Sequence, residues 1–88
     1  MLKLFYLENC PYCRQAFRAM EELFDEKPAW KTIEIEKIEE SRESAIADQY
    51  DYYYVPTIFM GEKKLYEAHP GETFAECKEN LRKVFAQA

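Results

Sequence analysis

Two cysteines separated by two residues, Cys10-Pro11-Tyr12-Cys13, are the part of this 88-residue chain whose types and spacing could do chemistry. They follow the apolar run Leu2 to Leu7 and the turn-forming pair Glu8-Asn9, and they open a stretch whose apolar residues recur every three or four positions. Cys10 is therefore expected at the first turn of a helix directly after a strand, with Pro11 where a missing N–H costs nothing. Unpaired N–H groups and the helix dipole there favour an anion. A thiolate is that anion, so Cys10 is expected to be the nucleophile. Cys13 lies one turn on along the same helical face, where it can attack a mixed disulfide formed at Cys10 and release the product. Arg14 adds positive potential beside this turn and Glu8 the opposite sign.

Other uses of these side chains are weaker on chemical grounds. A zinc site needs four ligands, and the only further candidates, Cys77 and His69, lack the spacing of a second ligand pair, so no metal is expected. His69, the one histidine, reads as a solvent-facing or hydrogen-bonded turn residue rather than a catalytic acid–base group. Cys77 shares a helical face with Phe74 and Leu81, which makes it a small buried core residue in preference to a third redox thiol.

The elements that must position the pair are short. Leu2 to Leu7 reads as a buried central strand, and Cys13, Ala16, Phe17, Met20, Leu23 and Phe24 form the stripe of an amphipathic helix ending before Pro28. Trp30 to Ile38 alternates roughly as a second strand, and Ser41 is expected to cap a second helix carrying Ala45 and Ile46. Val55 to Met60 and Lys63 to Ala68 read as strands joined at Gly61-Glu62. Thr73 and Glu76 have capping-box spacing ahead of a last helix with Phe74, Cys77, Leu81, Val84 and Phe85 on one face. Tyr50, Tyr52, Tyr53 and Tyr54 precede Pro56 and are expected mostly to pack at the sheet edge, with an aromatic wall beside the cysteines as the alternative. The order β-α-β-α-β-β-α implies an α/β fold with a mixed four-stranded sheet flanked by three helices, the thioredoxin-like architecture.

Composition narrows the setting. Twelve basic against 17 acidic side chains leave a net charge of −5, which opposes nucleic acid or anionic lipid as partners. No apolar run is long enough to span a bilayer, and the opening Met-Leu-Lys-Leu-Phe-Tyr-Leu lacks the features of a secretory signal. Three cysteines leave one over from any fully paired framework, so a reducing compartment, the cytoplasm, is expected. Residues 1–88 are expected to form one domain and a monomer.

Cys10-Pro11-Tyr12-Cys13 resembles the active-site motif of dithiol glutaredoxins, and Val55-Pro56 resembles the Val-Pro that precedes the third strand across the thioredoxin superfamily. The similarity covers almost the whole chain. It implies a cis peptide bond at Pro56 facing the cysteines, a Val55 backbone that pairs with bound substrate, and Tyr12 beside bound glutathione. It further implies a thiol–disulfide oxidoreductase acting on protein or glutathione mixed disulfides, with no bound cofactor and with glutathione as co-substrate. The sequence departs from the family where Tyr54 fills the usual Thr slot and where His69-Pro70-Gly71-Glu72-Thr73 replaces the Gly-Gly and Asp that hold glutathione. Thr73 could still cap a carboxylate-binding helix end, whereas Glu72 would repel that carboxylate. A redoxin fed by thioredoxin reductase, without glutathione, is therefore one alternative. Others, from a different class, are a module holding an iron–sulfur cluster through Cys10 at a dimer interface and a redox-insensitive partner-binding module.

Overall fold

The computed structural model describes residues 1–88 and places β1, Leu2–Tyr6, inside a four-stranded sheet whose spatial order is Ile35–Glu39 (β2), β1, Thr57–Met60 (β3) and Lys63–Glu67 (β4). β1 runs parallel to β2, Ile35–Glu39, and antiparallel to β3, Thr57–Met60, which in turn pairs antiparallel with β4, Lys63–Glu67. The parallel pair needs a crossover, supplied by α1, Pro11–Glu26. The antiparallel pair β3–β4 needs only a tight turn, and Gly61 provides it with φ of 61°. The chain is completed by a single helical turn, α2, Ser44–Ala47, and by α3, Phe74–Gln87. No helix is long and apolar enough to cross a membrane.

Alternation along the strands divides the core into two layers. Leu2, Leu4, Ile58 and Tyr66 join Ala16, Ala19, Met20 and Leu23 of α1 and Cys77, Leu81, Val84 and Phe85 of α3 in one buried cluster. Phe5, Ile38 and Phe59 point the other way and meet Ala47 of α2. One turn of helix cannot cover that second layer. Tyr50 and Tyr52 complete it, with ring centroids 4.9 and 5.2 Å from Phe5. On the outer surface Lys78 bridges Glu22 and Glu26 at 2.9 and 2.6 Å, tying α3 to α1.

Several boundaries differ from those expected of the sequence, each for a local reason. β2 starts at Ile35 rather than Trp30, because Pro28–Thr32 forms a 3-10 turn whose Trp30 ring packs 5.8 Å from Phe85. The N-cap position of α2 falls at Glu43, with no side chain capping the helix, and not at Ser41, whose hydroxyl and N–H both donate to the Glu39 carboxylate at 2.6 and 2.7 Å. Those two bonds also explain how Glu39 can be buried, since the Ser41 hydroxyl holds its carboxyl below the ordinary value. β3 begins after Pro56, which has no N–H for a ladder, so Val55 lies outside the sheet. Phe17 and Phe24 flank the buried stripe of α1, and Ala19 takes the buried place.

The capping box of α3 forms as its spacing predicts: Glu76 N–H donates to the Thr73 hydroxyl at 3.1 Å, and Thr73 N–H to the Glu76 carboxylate at 2.9 Å. Beside it, Glu72 is turned inward and only 4% exposed. The Tyr66 hydroxyl donates to it at 2.5 Å and Asn80 at 3.2 Å. Its carboxylate is therefore not on the surface where repulsion of a bound carboxylate had been expected. Tyr66→Phe should leave this buried carboxylate short of a donor and lower unfolding free energy by about 1–3 kcal/mol, read from urea denaturation.

Candidate active site

One end of the sheet collects the chain segments that matter. The carboxyl ends of β1 and β2, the amino end of β3 and the carboxyl end of β4 lie in one row, through the register pairs Tyr6 with Glu39, Phe5 with Thr57 and Thr57 with Glu67. Open α/β sheets bind ligands at such strand ends. The loop after β1 delivers Cys10 to this row as the N-cap of α1, with Pro11 in the first helical turn and no side chain capping the helix. The Arg14 N–H donates to the Cys10 carbonyl at 3.0 Å, which starts the helix there.

The two thiols have unlike surroundings. Cys10 is partly exposed, and its thiol donates toward the Val55 carbonyl oxygen at 3.8 Å, across 45 residues of sequence. Cys13 is 1% exposed, and its Sγ accepts from the Leu7 N–H at 3.5 Å. Burial pushes the Cys13 thiol up to about 12, the Leu7 N–H pulling against that shift and the neighbouring Cys10 reinforcing it. Cys13 is thus held as a protonated thiol behind Cys10. Both are free, as is Cys77, which lies on the buried face of α3 with its sulfur 3.4 Å from the Tyr66 hydroxyl. Burial raises the Cys77 thiol too, so it sits as a neutral core group.

The Val55–Pro56 peptide bond is cis. Pro56 is buried, and its carbonyl accepts from Ala68 N–H at 3.0 Å, while the N–H of Val55 has no partner within the chain. The segment ahead of it is pinned from behind: Glu67 accepts from the N–H groups of Tyr53 and Tyr54, the latter at 2.8 Å, and the Tyr52 hydroxyl donates to Glu40 at 2.6 Å. On the other side of Cys10 an open depression of about 390 Å³ is lined by Leu7, Glu8, Asn9, Glu39, Ser41 and Arg42, with Arg42 paired to Glu8 at 2.9 Å.

Of the residues singled out in the sequence, Cys10, Cys13, Val55 and Pro56 are brought together at this sheet end. Tyr12 is tethered instead: its hydroxyl accepts from the Gly71 N–H at 2.7 Å, closing the first turn of α1 onto the loop before α3, where Gly71 has φ of 82°. Thr73 is engaged with Glu76 in the capping box. His69 faces Glu76 at 3.9 Å and its own neighbour Pro70 at 3.1 Å rather than either cysteine. No group of three or more His, Cys, Asp or Glu side chains is placed to hold a metal ion.

Known proteins add one firm point. No protein-family model matches the chain, and no curated protein sequence matches it. Among solved structures, thioredoxin 1 from the thermophilic eubacterium Thermosipho africanus superposes with a TM-score of 0.60 over 98% of this chain and 94% of that one, at 15% identity. The fold is thioredoxin-like. The four-stranded mixed sheet and three helices expected of the sequence are those of this fold.

Tyr53 and Tyr54, expected of the sequence at the sheet edge or in a wall beside the cysteines, are anchored through their N–H groups by Glu67, which the sequence does not single out. A carboxylate at the end of β4, one residue before Ala68, is the available signal, readable only once β3 and β4 are paired. At neutral pH, iodoacetamide should place a single adduct on the folded protein, at Cys10, with Cys13 reacting only as pH approaches about 12 or on unfolding. Peptide mapping by mass spectrometry checks this. Two or more adducts on the folded chain would contradict the buried setting of Cys13 and Cys77.

Proposed function

We propose that the protein is a thiol–disulfide oxidoreductase in which Cys10 attacks and Cys13 resolves. The observation that carries this is the pairing of a partly exposed Cys10 thiol with the Val55 carbonyl at 3.8 Å while Cys13 is buried one turn behind it. The Cys10 thiolate attacks one sulfur of a substrate disulfide, forming a mixed disulfide and releasing one substrate thiol. Cys13 then loses its proton and attacks the Cys10 sulfur, which forms the Cys10–Cys13 disulfide and releases the second thiol. Two electrons pass to the substrate. An external thiol restores the dithiol, and the exchange itself needs no bound cofactor.

The unpaired Val55 N–H supports substrate binding by strand-like backbone pairing beside the cysteines. Val55 and Pro56 are accordingly read as the substrate-binding edge. Three free thiols fit a reducing compartment such as the cytoplasm. Loss of Cys10 through Cys10→Ser should abolish reduction of hydroxyethyl disulfide and of insulin. Cys13→Ser should abolish multiple turnover with insulin while trapping a mixed disulfide at Cys10, visible as an intact-mass adduct removed by dithiothreitol. Turnover by the Cys10→Ser protein at the wild-type rate would end the proposal.

A specific observation favours the reading without glutathione. At the loop before α3, the Gly71 N–H is bonded to the Tyr12 hydroxyl and the Thr73 N–H to Glu76, so two donors that a glutathione carboxylate could use are already engaged, and the Glu76 carboxylate stands at that helix end. Supplied in the oxidised form, the protein should be reduced by NADPH with thioredoxin reductase at least about tenfold faster than by NADPH, glutathione reductase and glutathione. NADPH absorbance reports both rates, and a faster glutathione arm would restore the glutaredoxin type with Tyr12 and Thr73 as its glutathione contacts.

A further inference from the structure

Besides Met1, the exposed large apolar side chains of the protein are Tyr53 and Tyr54, at 84% and 50%. They stand immediately before Val55, on a segment whose backbone is held by Glu67 and whose Tyr52 is held by Glu40. Aromatic rings presented to solvent on a fixed backbone, next to a reactive thiol, offer contact area at little entropic cost.

The charges around them are uneven. Glu8 and Glu67, on either side of the site, are neutralised within the chain by Arg42 and Lys64. Glu40 and Asp48 are not: neither makes an ion pair, and they share an open depression of about 430 Å³ with Tyr50, Tyr52 and Tyr53. Two unneutralised carboxylates among tyrosine rings suit a cationic side chain, which gains both charge attraction and the face of a ring. An uncharged small disulfide offers these carboxylates no cation to attract.

We infer that Tyr53, Tyr54, Glu40 and Asp48 form a docking surface for a disulfide-bearing protein segment carrying Lys or Arg near its cysteine. This rests on the exchange reading given above and names its substrate class. The substrate backbone pairs with Val55 and continues past Tyr54 and Tyr53. At about 3.3 Å per extended residue, its basic side chain lies about two to four positions from the attacked cysteine.

The test uses reduced Cys13→Ser protein and measures the rate of mixed-disulfide formation at Cys10 by quenched-flow mass spectrometry. Its substrates are two disulfide peptides of one length, flanked by Lys/Arg or by Glu, together with uncharged hydroxyethyl disulfide. The basic peptide should react about fivefold to tenfold faster than the acidic one at low salt, with the ratio shrinking as salt rises. Glu40→Gln/Asp48→Asn should bring the ratio close to one. Asp25→Asn/Glu62→Gln, which removes the same charge at the opposite end of the sheet, should keep most of it. Tyr53→Ala/Tyr54→Ala should slow the basic peptide several-fold more than it slows hydroxyethyl disulfide. Equal peptide rates, or equal effects of the two charge-removing pairs, would overturn the docking surface while leaving exchange intact. Failure of every disulfide, hydroxyethyl disulfide included, would overturn the exchange reading itself.

Discussion

The position of every group at the active end depends on β1 being paired on both sides. Its parallel partner β2 forces the chain through α1, which sets Cys10 at a helix start, and its antiparallel partner β3 brings the segment ending at Val55 back to the same end. Neither pairing alone suffices. With β2 only, Cys10 would begin a helix with nothing facing it. With β3 only, there would be no crossover helix to bury Cys13. The contact between Cys10 and Val55 across 45 residues is the product of these two ladders.

The same geometry separates two chemically identical thiols. Three residues of helix move Cys13 from the rim into the layer under α1, where removal from water opposes its ionisation. Cys10 remains at the rim with a carbonyl and an open depression as neighbours. The two thiols are thus distinguished by depth and not by residue type. The Leu7 N–H supplies the one polar contact that a buried sulfur can use without charge.

Much of this is readable from residue order. The spacing of Ala16, Met20 and Leu23 defines the buried face of α1, and Thr73 with Glu76 defines the start of α3, because both patterns are local and satisfied within a few residues. What is not readable is whatever depends on a partner distant in sequence. Glu72 has the chemistry of a surface residue, and only Tyr66 and Asn80 make its burial tolerable. Ser41 has the chemistry of a helix cap, and Glu39 takes it instead. The cis bond at Pro56 was implied by resemblance alone, since no local residue pattern demands it. Trp30 reads as strand from local alternation, whereas its contact with Phe85 of the last helix, distant in sequence, accompanies a turn.

The thin cover over Phe5 and Phe59 has a consequence of its own. On the face of α1 and α3, long helices with repeated backbone hydrogen bonds shield the sheet. On the other face the shield is one helical turn and the rings of Tyr50 and Tyr52. The stretch that supplies those rings runs directly into Val55, so the cover of that core layer and the loop facing Cys10 are one continuous segment. Displacing that segment would bare Phe5 and Phe59 and carry Val55 away from Cys10 together. Substitutions that tighten this short segment would therefore act on the burial of that layer and on the geometry around Cys10 together.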